Sequence, residues 1–157
     1  MKTVNYDFIA RRDGETTLLE QFISQSHSVL VATSSFWEGV DVRGDALSLV
    51  IIDKLPFTAP DEPLLKARIE DCRLQGGDPF NDIQIPEAVI TLKQGVGRLI
   101  RDVTDRGAVI ICDNRLVMRP YGETFLRSLP NFKRTRDLHK VVQFLTTLKT
   151  DDNNESI

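Results

Sequence analysis

Apolar residues in this chain follow two alternating patterns. Short, nearly continuous runs occur at Val29-Leu30-Val31-Ala32, Leu47-Ser48-Leu49-Val50-Ile51-Ile52 and Ala108-Val109-Ile110-Ile111-Cys112. Runs that are apolar at successive rather than alternate positions are the pattern of parallel strands covered on both faces. Asn5-Tyr6-Asp7-Phe8-Ile9-Ala10 predicts a further strand. Between the runs, apolar residues recur at helical spacing. Asp13 can cap a helix that carries Leu18, Leu19, Phe22 and Ile23 on one face. Asp61-Glu62-Pro63 starts a second helix with Leu65, Ile69 and Cys72, which Gln75-Gly76-Gly77-Asp78-Pro79 breaks. Pro86 opens a third, through Val89, Leu92, Val96 and Leu99 towards Gly107. A last helix is predicted over residues 135–148, with Leu138, Val141, Val142 and Leu145 inward. Alternating strand and helix predicts an α/β domain with a mainly parallel central sheet flanked by helices. The domain is expected over residues 1–148, with the polar stretch 149–157 as a disordered tail. In such sheets ligands gather at the carboxyl ends of strands, so the residues after each run carry the most interest.

Composition adjusts this picture in a few places. At 157 residues the chain suits one domain with a real core. No apolar run approaches the roughly 20 residues of a membrane helix, and the start Met1-Lys2-Thr3-Val4-Asn5 lacks a signal-peptide core. Cys72 and Cys112 are far apart and form no CxxC pair, which points to a reducing cytoplasm and away from a zinc or iron–sulfur site built by this chain alone. His27 and His139 are isolated. The formal charge of -3 hides an uneven distribution: residues 98–140 hold 10 Lys/Arg against 5 Asp/Glu, whereas residues 1–97 hold 9 against 15. The basic segment suits phosphate contacts; a solvated basic surface is the other reading of the same charges.

Two segments carry candidate chemistry. The first, Thr33-Ser34-Ser35-Phe36-Trp37-Glu38-Gly39-Val40-Asp41, follows a predicted strand and gathers hydroxyls, aromatics and two carboxylates around a glycine. Ser34 and Ser35 can bond a phosphate or a neighbouring carboxylate. Equally, Phe36 and Trp37 can simply cap the core. The second is Gln94-Gly95-Val96-Gly97-Arg98-Leu99-Ile100-Arg101. At 3.6 residues per turn, positions 94, 98 and 101 form one stripe, roughly opposite Val89, Leu92, Val96 and Leu99. Gly95 and Gly97 are expected to flank that stripe and leave it open, although each costs about 1 kcal/mol of helix propensity relative to alanine. Two guanidiniums and an amide on an open face suit a polyphosphate, and a solvated Arg/Gln face is the alternative.

These residues resemble a known family. The run from Gln94 to Arg101 is similar to motif VI, QxxGRxxR, of superfamily 2 helicases. Ala32 to Asp41 resembles the motif V region of the XPD/DinG branch, and Asp113-Asn114-Arg115 its DxR element. Leu55-Pro56-Phe57 and the segment to Pro63 also match its style. The likeness covers nearly all of residues 5–145 and is strongest to bacterial DinG/YoaA-type helicases, the YoaA-like members in particular. It implies a RecA-like fold of the P-loop NTPase type, here the second (C-terminal) lobe, incomplete at its N-terminus. It implies that Arg98 and Arg101 reach the ATP phosphates across the lobe interface, where such groups can contribute roughly 10³–10⁵ in rate. Gln94 would sense the γ-phosphate, and Glu38, Gly39 and Asp41 would couple the nucleotide to the strand-binding face. Thr33, Ser34, Ser35 and Trp37 would lie near single-stranded DNA.

Neither a GxxxxGK[ST] loop nor a DEAH-like motif occurs in the sequence. The resemblance places those elements, with the cysteines of an iron–sulfur cluster, in a first lobe. ATP with Mg2+ would therefore be shared with that lobe, and the chain alone is expected not to hydrolyse ATP. The expected partners are single-stranded DNA, the first lobe and a replication or repair protein, for which Lys133-Arg134-Thr135-Arg136-Asp137 is the candidate contact. A non-catalytic module that binds protein or nucleic acid is the competing reading. A stand-alone small-molecule enzyme is disfavoured, because no nucleophile–base pair is evident. The order of strands and polar loops further predicts that residues 33–41, the start of the third helix and residues 113–115 share one edge of the sheet.

Overall fold

The apolar runs pair as parallel strands. A computed structural model describes residues 7–9, 15–25, 28–33, 47–59, 61–97, 99 and 105–154. β1 (Asp7–Ile9) lies beside β2 (Ser28–Leu30), with Phe8 opposite Val29. The chain returns between them through α1 (Glu15–Ser24), which packs on both strands. Leu18 is the buried anchor of α1. The Ser28 hydroxyl donates to the carbonyls of Phe22 at 3.0 Å and Gln25 at 3.1 Å, satisfying groups left open at the helix end.

β3 (Leu49–Ile52) and β4 (Ala108–Ile111) form the second parallel pair, with Val50 opposite Val109 and Ile52 opposite Ile111. A parallel pair needs a crossover that carries the chain back to the starting end. Here α2 (Pro63–Leu74), a π-helical turn at Phe80–Gln84 and α3 (Ile85–Gly97) lie in that crossover. α2 begins as the sequence predicts: Pro63 occupies its first turn, and the Glu62 carboxylate accepts from Leu65 N–H at 2.6 Å. Gly76, at φ 80°, supplies the left-handed residue that ends it. Asp78 and Asp82 then hold the next turn, with Phe80 N–H donating to Asp78 Oδ1 at 3.0 Å and Asp78 N–H to Asp82 Oδ2 at 2.8 Å. After β4 come α4 (Arg115–Met118), α5 (Gly122–Ser128) and α6 (Leu138–Asn154).

The core lies on one side of β3 and β4. Ile52 and Leu55 pack with Ile85, Ala88, Leu92 and Val96 of α3, Leu116 of α4 and Phe125 of α5, and Val50, Val109 and Ile111 pack against this cluster. Side chains of a strand alternate between faces, and Ile51, of the opposite parity, is 59% exposed. The continuous apolar run at β3 therefore does not mean cover on both faces. Nor do the four strands join in one ladder among the described residues, where two separate two-stranded sheets are found. Two helix expectations also change. Leu138 and Val142, expected inward, are exposed, since a helical period identifies an apolar face but not a neighbour to cover it. α6 runs to Asn154, past the end expected for the last helix at residue 148; once a helix is formed, extending it by a turn is easier than nucleating one. No helix among the described residues is long and apolar enough to cross a membrane.

Candidate functional site

Gln94 is exposed on the last turn of α3, as the stripe argument requires. Its neighbours divide differently from expectation. Gly95 is buried with Leu92 and Val96, so it belongs to the packed face and does not open the Gln94 side. The buried positions 85, 88, 92, 95, 96 and 99 make an apolar stripe wide enough to include it. Gly97 is exposed, and a Cβ built there would meet nothing within 4 Å. Gly97 lies one turn beyond Gln94, on the same side of the helix.

Leu99 stands in sequence between Arg98 and Arg101 and is only 3% exposed. Its N–H donates to the Val96 carbonyl at 3.0 Å. Its side chain lies against Gly107, where an added Cβ would come within 2.6 Å of Leu99 Cδ1 and 2.9 Å of the Ser48 carbonyl oxygen. Ser48 and Gly107 immediately precede β3 and β4. The end of the motif-bearing helix is thus fixed at the amino ends of these strands. Arg98 and Arg101 lie outside the described residues, as do Ser34, Ser35, Trp37, Glu38, Gly39 and Asp41. Thr33 is described; it is exposed, just beyond β2.

Asp113 and Arg115 occupy the opposite end of the pair. The Asp113 side chain is 5% exposed and accepts four kinds of N–H. Leu55 N–H, from the segment leaving β3, donates to Oδ2 at 2.9 Å, and Arg115 N–H to Oδ1 at 3.0 Å. Arg115 adds Nε at 3.0 Å to both oxygens and Nη2 at 2.6 Å to Oδ2. Hydrogen bonding by the Arg115 side chain, with the backbone N–H groups of Leu55 and Arg115, holds this carboxyl well below the usual carboxylate range; burial opposes the shift but does not overcome it. Asp113 raises the guanidinium's own pKa in return. One carboxylate therefore ties the exits of β3 and β4 together.

Of the segments expected on one edge, residues 34–41 lie outside the described residues, and the turn that leads into the start of the third helix lies with residues 113–115, since Phe80 stacks on the Phe57 ring that Arg115 covers. Residues 113–115 lie at the carboxyl ends of β3 and β4, whereas Leu99 and the end of the third helix lie at the amino ends. The crossover requires this, because the residues just before β4 must return to where both strands begin.

Sequence reasoning missed the group that Arg115 covers. Its guanidinium carbon is 5.3 Å from the centre of the Phe57 ring. Phe57 stacks on Phe80 at 5.8 Å and meets Tyr121 and Phe125 edge-on at 5.9 and 5.7 Å. Spread over residues 57–125, these rings share no period. The one available signal was Phe57, two residues beyond the N–H that Asp113 receives.

Comparison with known sequences adds the following. The profile of the family "Helicase C-terminal domain" matches residues 3–132. The chain is 90% identical to the ATP-dependent DNA helicase YoaA of Haemophilus influenzae over 135 residues, which is 84% of this chain and 21% of that protein. Over 135 residues, with the same coverage, it is 73% identical to YoaA of Escherichia coli K12. With the ATP-dependent helicase DinG of Mycobacterium tuberculosis H37Rv it shares 43% over 140 residues, 89% of this chain and 21% of that protein. The chain thus spans about a fifth of the length of these curated relatives.

Proposed function

The chain belongs to the helicase C-terminal domain family, in its DinG/YoaA type, and on that premise we propose that it acts as the second motor lobe of an ATP-dependent DNA helicase. The lobe is RecA-like and completes an ATP site that a first lobe begins. Arg98 and Arg101 stabilise charge on the transferring phosphoryl group, as always-charged planar donors can. Gln94 reports the γ-phosphate. Glu38, Gly39 and Asp41 couple nucleotide state to the DNA side, where Thr33, Ser34, Ser35 and Trp37 meet single-stranded DNA. Magnesium and an iron–sulfur cluster belong to the first lobe in this reading. A replication or repair protein is a further partner, met through residues 133–137.

The observation that carries the proposal is the end of α3. Gln94 is exposed, Gly97 leaves its side of the helix open, and Leu99 is buried against Gly107. Leu99, which stands between Arg98 and Arg101 in sequence, is anchored there, and a phosphoryl site depends on positioning.

Steady-state ATP hydrolysis tests it. The purified chain alone should show none. Adding the first lobe of a YoaA relative, in trans or fused ahead of residue 1, should give DNA-stimulated turnover. Arg98→Ala and Arg101→Ala should each lower that rate by roughly 10³-fold or more while leaving thermal unfolding unchanged. Robust turnover by the lone chain would overturn the shared-site reading. Full activity of the double arginine variant in the reassembled enzyme would overturn the motif VI assignment.

A further inference from the structure

The aromatic group at the carboxyl ends of β3 and β4 runs from the core to the surface. Phe125 fills the core and is fully buried. Phe57 and Tyr121 are half-buried, and Phe80 is 38% exposed. Tyr121 meets Phe80 edge-on at 5.3 Å, so the rings form one continuous surface that reaches solvent at Phe80. Asp113 fixes its cationic border: Nε and Nη2 of Arg115 bond to that carboxylate, while Nη1 has no partner among the described residues. The Arg115 side chain remains 40% exposed. Arg119 is also exposed, two residues before Tyr121. The Tyr121 hydroxyl has no hydrogen-bond partner among the described residues.

We propose that Phe80 and Tyr121, with Arg115 and Arg119, form a subsite for single-stranded nucleic acid that stacks one base and holds the adjoining phosphate. The proposal rests on the reading that this lobe contacts single-stranded DNA, and it adds a contact distinct from residues 33–37. Any base presents a π-face to an exposed ring, so such a platform is tolerant of sequence. Charge sets the polarity of the contact. Asp78 and Asp82 flank Phe80 and repel phosphate, which leaves that end to the base. The phosphate goes to the arginine end, where the free edge of a pinned guanidinium offers donors with little entropy left to lose. The position agrees with the general preference of parallel sheets for ligands at strand carboxyl ends.

Fluorescence anisotropy of the whole chain with a labelled oligothymidylate, and with the same oligomer made abasic, separates the parts. Phe80→Leu should weaken binding to the thymidylate about tenfold and binding to the abasic strand less than twofold. Arg119→Gln should weaken both and reduce the slope of log affinity against log salt by about 0.7. Photo-crosslinking of the unaltered chain to an iodouracil oligomer should give adducts at Phe80 or Tyr121, and it decides the matter should the Phe80 variant fail to fold. Unchanged binding by folded Phe80→Leu, or adducts confined to other residues, overturns the subsite and leaves DNA contact elsewhere standing. Absence of all binding by the folded chain at low salt overturns the DNA reading itself, and the subsite with it.

Discussion

Asp113 is the residue whose chemistry does most for the described fold. Its carboxylate serves Leu55 N–H and three groups of Arg115, and its pKa is depressed mainly by the Arg115 side chain. A carboxyl with a native pKa below its unfolded value stabilises the fold above the unfolded value, about 3.9, and that contribution drains away as the pH falls towards the native one. Asp113→Asn should therefore cost about 2 kcal/mol in urea unfolding at pH 7, and the gap to the unaltered chain should narrow steadily below about pH 4. A gap independent of pH would remove the ionic part of the argument. Glycines give a second contrast at this scale. A Cβ on Gly122 would fall 2.0 Å from the Leu116 carbonyl oxygen, so Gly122→Ala should force the α4–α5 corner apart and cost about 3 kcal/mol. At Gly97 the space is open, and Gly97→Ala should stabilise the chain by about 0.5–1 kcal/mol. In a reassembled enzyme the same added methyl would stand beside Gln94, and ATP turnover should fall despite the greater stability. Equal or higher turnover would mean that nothing approaches α3 there.

At the scale of elements, the contact between Leu99 and Gly107 joins the end of α3 to the start of β4. Gly107→Ala puts a methyl within 2.6 Å of Leu99 Cδ1 and 2.9 Å of the Ser48 carbonyl. Either Leu99 moves or the strand entry does. In the reassembled helicase this substitution should lower kcat for ATP by at least about tenfold while leaving the affinity for single-stranded DNA at the carboxyl-end subsite within about twofold, because the two lie at opposite ends of the strands. Loss of both in parallel would indicate general unfolding, which circular dichroism would reveal. The strands and helices themselves were largely legible. The cap at Glu62, the break at residues 75–79 and the three apolar runs are local signals, and each produced its element. The division of α4 from α5 was not legible, since neither is long enough to show a period.

For the whole molecule, charge and coverage matter more than any one contact. The basic segment 98–140 sits in a chain of net charge -3, so nucleic-acid binding should be local and strongly dependent on salt. Trp37 fluorescence should report single-strand binding at low ionic strength that weakens by at least about tenfold between 50 and 200 mM salt; a signal insensitive to salt would argue against phosphate contact. The sequence alone determined which stretches become strands and helices, because periodicity and caps act over a few residues. It also identified the family, because the order of short motifs survives without any knowledge of contacts. Tertiary structure decided the rest. It placed Gly95 in the core and Gly97 in the open, although both glycines flank the same predicted stripe. It left one side of β3 exposed at Ile51, although the run reads as apolar throughout. It set the end of α3 and the Asp113–Arg115 pair at opposite ends of the strands, and it assembled Phe57, Phe80, Tyr121 and Phe125 from four separate segments. In each case the deciding quantity is which surfaces meet across long stretches of chain, and no local pattern of residues encodes that.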